Sequence, residues 1–189
     1  MTAATTTTTT TIVPTGTWTV DPAHSKVGFA VKHMGIATVR GEFTRFEGTL
    51  ELGDELAGAR AHGTVETASI DTNEPQRDAH LRSADFFDAE HNPQITFEST
   101  RIEPLDEESF RITGSLTMHG VTRELVLRAD VQGVEIDPWG NERVGLEITG
   151  RLSRGDHEMR FNQALGSGNM LVSDNVTLAL DVSAIRQAS

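Results

Sequence analysis

The stretch "FRITGSLTMHGVTRELVLRADV" (residues 110–131) decides the fold. Phe110, Ile112, Gly114, Leu116 and Met118 alternate with Arg111, Thr113, Ser115, Thr117 and His119. Beyond Gly120, the residues Leu125, Leu127, Ala129 and Val131 alternate with Val126, Arg128 and Asp130. A period of two sends one set to each face of a strand. One apolar and one largely polar face is what an antiparallel sheet wet on one side requires. Gly120, between the two runs, points to a hairpin.

The same period recurs on both sides of this stretch. Val27, Phe29 and Val31 alternate with Gly28, Ala30 and Lys32, and Val144, Leu146, Ile148, Gly150 and Leu152 oppose Glu147, Thr149, Arg151 and Ser153. Val176, Leu178, Leu180 and Val182 form the last run, and Asn92-Pro93 precedes another at Ile95 and Phe97. Between 39 and 52 the parity changes: Val39, Gly41 and Phe43 share one face, then Phe46, Gly48, Leu50 and Leu52 take the other. A bulge or sharp bend near Thr44-Arg45 would return both sets to one side. "DPWG" (137–140) has the Asp, Pro and Gly positions of a type I turn. About eight strands with few long crossovers read as all-β, an up-and-down barrel or a sandwich.

Two segments break the alternation. Residues 74–83, "EPQRDAHLRS", carry a proline near the start and helix formers after it, with Thr72 or Asn73 as N-cap. Asp78 and Arg82 then stand i, i+4 in the favourable acid-first order. Phe86 and Phe87 follow, and at least one should turn inward. The segment 77–88, "RDAHLRSADFFD", thus reads as a short helix capping one barrel end with a phenylalanine plug, with Arg77, His80 and Arg82 as polar candidates at a ligand entrance. The second break is 154–174, "RGDHEMRFNQALGSGNMLVSD", a long connection of the kind that is usually functional or hides a short helix.

Composition narrows the partners. Sixteen Lys and Arg against 28 Asp and Glu leave a formal charge of −12, which disfavours nucleic acid and anionic membrane surfaces. There is no cysteine, so disulfides and thiolate nucleophiles are excluded. Residues 1–15 read as a disordered threonine-rich tail and 16–187 as one domain. The first basic residue is Lys26 and Ile12-Val13 is the only apolar pair before it, so no secretory leader is read and a cytoplasmic location is expected. No run approaches the length of a membrane-spanning helix.

Catalytic patterns are weak. "DPAHS" (21–25) holds Asp21, His24 and Ser25, but triads are assembled by the fold rather than within a pentapeptide, and Asp and Ser beside proline organise turns. The seven histidines show no metal-ligand spacing, and "ALGSGN" (164–169) lacks the phosphate-loop lysine. Neither a catalytic residue nor a metal site is assigned. Trp18 and Trp139 read as core or rim aromatics. In an eight-stranded barrel Phe29, Val31, Phe43, Phe46, Phe97, Phe110, Ile112, Leu116 and Met118 compete to fill the lumen. Such a lumen takes packed side chains or one small ligand. Periodicity does not separate the two.

Several blocks together resemble the YceI-like family of polyisoprenoid-binding, lipocalin-like proteins. They are "WTVDPAHSKVGFAVKHMG", "VRGEFTRFEGTLEL", "ASIDTNEPQRDAHLRSADFFDAEHNPQITFEST", "GSLTMHGVTRELVL", "DPWG" and "VSDNVTLALDV", in the family order from Trp18 to about Val182. The resemblance implies an eight-stranded antiparallel barrel with a helix over one end and an elongated apolar cavity for a long isoprenoid chain, as in polyprenyl phosphates or isoprenoid quinones. By the same resemblance Phe29, Val31, Phe43, Phe46, Phe86, Phe87, Phe97, Ile112, Leu116, Met118, Leu125 and Leu127 become tail contacts, and Arg77, His80 and Arg82 headgroup contacts. The expected function is non-enzymatic binding, transport or storage of that lipid, with no resident cofactor and with a homodimer as the oligomeric prior. The alternative is an enzyme acting on a small apolar substrate in the same cavity, for which His33 is the one inward titratable candidate. The chain departs from the family pattern at His157-Glu158, where an aromatic–glycine pair is expected.

Overall fold

A computed structural model describes residues 12–188. Its strands are β1 (Gly16–Val20), β2 (Lys26–His33), β3 (Ala37–Phe43), β4 (Phe46–Leu52), β5 (Arg60–Glu66), β6 (Ile70–Asp71), β7 (Gln94–Pro104), β8 (Ser109–Met118), β9 (Val121–Ile136), β10 (Glu142–Ser153) and β11 (Val172–Arg186). Among the described residues there is one α-helix, α1 (Pro75–Arg82), between β6 and β7. Every pairing is antiparallel. The ring runs β1-β4-β5-β7-β8-β9-β10-β11 and returns to β1, so eight strands close a barrel. Closure removes the sheet edges and decides between the barrel and the sandwich. The remaining three, β2, β3 and β6, extend the wall from β11, whose first half pairs with β2 and whose end pairs with β1.

The alternating runs become strands with the expected faces. Thr117 opposes Thr122 and Met118 opposes Val121 across the His119-Gly120 turn, where both turn residues have positive φ, 53° and 72°. That is the conformation a two-residue hairpin needs and glycine supplies most easily. The Asp137 carbonyl accepts from Gly140 N at 2.9 Å, closing the expected turn. At Thr44-Arg45 the strand breaks and turns, and β3 does not pair with β4. Thr44 N donates to Ser69 O and Arg45 N to Ser69 Oγ, so the corner is fastened to the next layer of chain. A register shift between Ser99 and Arg101 does the same for β7, placing both Phe97 and Ile102 inward. Such irregularities bend strands and switch faces, which is how barrels curve.

The connections sort into two ends. At one lie the 34–36 and 119–120 turns, the 67–93 segment with α1, and the 154–171 connection. At the other lie 21–25, 53–59, 105–108 and 137–141. This second end is a packed floor: Trp18, Val144 and Ala184 are at most 1 % exposed, and the Trp18 indole N–H donates to Pro14 O at 3.1 Å. Outside it Arg143 bridges Asp21 and Asp137, each at 2.8 Å.

Of the expected tail, residues 1–11 lie outside the described residues, and Val13 is buried in the barrel. Among the described residues, packing against the barrel already includes Val13, ahead of the boundary read at 16. Helix α1 falls within 74–83, but its N-cap is Glu74, whose carboxylate accepts from Gln76 N and Arg77 N. Thr72 is turned to another use: its backbone N–H and its hydroxyl both donate to buried Asp78. The anticipated Asp78–Arg82 ion pair is absent for the same reason, because Arg82 donates instead to Ala68 O and Ile70 O. Capping two carbonyls of the preceding segment outweighs a surface ion pair, which is worth little. No helix among the described residues is long and apolar enough to cross a membrane.

Candidate functional site

Inside the barrel is a cavity of about 330 Å³. All twelve apolar candidates, Phe29, Val31, Phe43, Phe46, Phe86, Phe87, Phe97, Ile112, Leu116, Met118, Leu125 and Leu127, line it. Period-two strands make this unavoidable, since each contributes its inward parity to one shared lumen. Further wall comes from Leu146, Ile148 and Leu152 of β10 and from Leu178, Leu180 and Val182 of β11. Within the lumen Phe29, Phe43 and Phe87 form an aromatic chain with ring centroids 5.8 and 5.7 Å apart, in the tilted and edge-on arrangements that rings favour.

The lid is built from two segments. Phe86, just after α1, is buried and meets Phe161 of the 154–171 connection at 5.1 Å. His80 packs edge-on against both rings, 5.1 and 4.9 Å away, and its Nε2 is 2.8 Å from Asp85. A brace inside the connection, Asn162 Nδ2 to Val172 O and Val172 N to Asn162 Oδ1, holds Phe161 beside the lid. The long connection thus contains a 3₁₀ turn, Gly155–His157, and a share of the closure over the cavity.

The three polar entrance candidates lie on or beside the lid-end helix, and none of them lines the cavity. Arg77 donates to Thr72 Oγ1 and Thr72 O at 2.8 and 2.7 Å, and Arg82 to Ala68 O and Ile70 O. Both fasten α1 to the β6 segment, and neither lines the cavity; nor does His80. His33 is also outside the lining. Asp21 and His24 touch, at 2.8 Å, but Ser25 Oγ instead donates to Ser183 O, so "DPAHS" assembles no triad. Arg143, then His24, hold the Asp21 carboxyl down at about 2.

The residue that sequence reading missed is Arg154. It is 6 % exposed and lines the cavity. The other ionisable lining residues, Glu47 and His62, are exposed wall positions. Its Nε donates to Ser173 O, Nη1 to Met159 O and Nη2 to Val172 O, at 3.0, 2.8 and 3.3 Å. The guanidinium carbon stands 6.0 Å from the centre of the Phe86 ring. Among the described residues no carboxylate lies within ion-pairing distance, and burial draws its pKa below the ordinary arginine value. The signal was parity: Val144, Leu146, Ile148, Gly150 and Leu152 continue to 154. At the neighbouring departure from the family pattern, His157 is buried with Nδ1 donating to Val121 O at 3.0 Å, and Glu158 has φ +62°. That left-handed backbone is where glycine fits without cost.

A family model described as YceI-like domain matches residues 18–184. The protein named YceI of Escherichia coli O157:H7 is 36 % identical over 165 residues, covering 87 % of this chain and 83 % of that one. The crystal structure of the Campylobacter jejuni YCEI protein superimposes with a TM-score of 0.71 at 31 % identity, covering 89 % of this chain and 96 % of that one. A polyisoprenoid binding domain from Saccharophagus degradans, implicated in plant cell wall breakdown, shares the fold with a TM-score of 0.69 at 14 % identity, over 90 % of this chain and 98 % of that one.

Proposed function

The chain belongs to the YceI-like family, and from that premise we propose that it binds a long-chain isoprenoid lipid in the barrel cavity, as a non-enzymatic carrier or store. The observation that carries the proposal is the cavity wall: apolar from the floor at Trp18 to the lid at Phe86, with one buried ionisable side chain in its lining. Burying apolar chain contributes roughly 25 cal/mol per Å² without directional chemistry. Such a wall therefore favours a long tail and discriminates weakly along it. A fold shared with a polyisoprenoid binding domain supports the same ligand class. A polyprenyl phosphate and an isoprenoid quinone are the two cargoes within that class. A cytoplasmic setting is part of the proposal, and a homodimer enters it only as the general prior for a single-domain barrel.

The test is lipid mass spectrometry of an organic extract from protein purified gently from its native host. A stoichiometric prenyl compound is the expected result and names the cargo. Repeated blanks, together with no displacement of an apolar fluorescent probe by added prenyl lipids, would overturn the reading.

A further inference from the structure

We propose that Arg154 is the headgroup anchor of the cavity, and that it selects amphiphiles ending in an oxyanion, a phosphate or carboxylate, over neutral ones of the same tail. The inference rests on the reading of the cavity as a prenyl-lipid site and goes beyond it, naming the class of headgroup and where it sits.

The argument starts from the valence of the side chain. A guanidinium has five N–H donors. Three go to the carbonyls of Met159, Val172 and Ser173, leaving one N–H on each terminal nitrogen. Backbone carbonyls satisfy donors but bring no net charge. A buried cation without an anion is costly, and proteins normally pair it. The nearest candidate, Asp174, spends one carboxylate oxygen on Gly155 N and the other on Ser153 Oγ, at 2.8 Å and at closer range. Its charge acts on Arg154 only from a distance. The carbonyls hold the guanidinium in place before a ligand arrives, so little freedom is lost when two oxygens of one group take the two free donors. Arginine matches such a two-oxygen acceptor well.

Position adds direction. Arg154 follows directly on β10 at the lidded end, over the Phe86 ring, while the opposite end is closed by Trp18, Val144 and Ala184. A ligand anchored there runs its tail toward the floor, along Leu152, Ile148 and Leu146, which share the parity of Arg154. Arg77 and Arg82, the other cations of this end read as headgroup contacts, have their donors on the carbonyls and hydroxyl of 68–72.

The experiment compares farnesyl phosphate with farnesol by isothermal titration on the wild-type chain, then on R154M and R154K. Wild type should bind the phosphate about tenfold or more tightly than the alcohol, the range expected of charge-assisted bonds. R154M should lose the preference and bind both alike, and R154K should keep part of it. Equal wild-type affinities would overturn the anchor and leave the cavity reading standing. Failure to bind either compound would overturn both. The wild-type comparison decides even if R154M does not fold, since Arg154 also ties three carbonyls. Inorganic phosphate alone should bind weakly; binding as tight as farnesyl phosphate would overturn the amphiphile as the source of the oxyanion.

Discussion

Replacing Trp18 by alanine tests the division of the barrel into a packed floor and a lidded cavity. Trp18 is fully buried, lies against the β4 and β11 seams, and donates its indole N–H to Pro14 O. Truncating a buried Trp to Ala costs about 3–5 kcal/mol, from lost burial and from the void left behind. At about 2–4 °C per kcal/mol for a chain of this size, a loss near 4 kcal/mol lowers Tm by roughly 8–16 °C. Trp18→Phe keeps most of the burial and loses the indole hydrogen bond, so it should fall by a smaller amount. Thermal unfolding followed by circular dichroism measures both. The other tryptophan, Trp139, is 81 % exposed, so the alanine variant should also lose the blue component of the fluorescence and retain the red one. A Tm within two or so degrees of wild type would refute a packed floor, because it would mean that the indole fills no space that matters.

Two further outcomes follow from other parts of the barrel. The Asp21 pKa is depressed in the fold to about 2, chiefly by Arg143; a depressed carboxylate contributes stability above its unfolded value near 3.9 that is lost as pH falls toward 2. Arg143→Met, which removes the partner of both Asp21 and Asp137, should lower stability at neutral pH and flatten its fall between pH ~4 and ~2; urea unfolding at stepped pH checks this, and parallel acid limbs in the two proteins would contradict it. At Gly114 an added Cβ would stand 2.4 Å from Glu98 O and 2.5 Å from the Phe97 ring, whereas at Gly63 the nearest atom is 3.5 Å away. Gly114→Ala should therefore cost about 1–3 kcal/mol in the urea midpoint through overpacking, and Gly63→Ala much less; equal effects would rule out close approach as the reason for glycine.

Strand parity carried most of what could be read ahead of the structure. Phe110 to Val131, the β10 run and the β11 run needed only a period of two, which packing cannot override without exposing an apolar face. The corner at Thr44-Arg45 was visible because parity changed there. Polar side chains were less legible, because parity sets their side of the wall and nothing local sets their partner. Arg77, Arg82 and Asp78 are three charges on one short helix, and the sequence offers Asp78–Arg82 as the obvious pair. The fold instead supplies carbonyls at 68–72 and the Thr72 hydroxyl, contacts that exist only after β6 has been laid beside α1. Arg154 is hidden for the opposite reason: its parity is readable, but the polar run from 154 onward reads as the end of the alternation at Ser153.

The seam between β1 and β11 joins Trp18 to Arg186 and Val20 to Ala184, so the ring shuts between segments far apart in sequence. Contacts so distant are slow to form, because the chain between them must first be gathered. Hairpins such as β8–β9 join segments that are neighbours in sequence, whereas the lumen is enclosed only when β11 meets β1. The cavity is thus a property of the finished circuit. Any molecule that occupies it enters a chain that has already closed, or is enclosed in the act of closing.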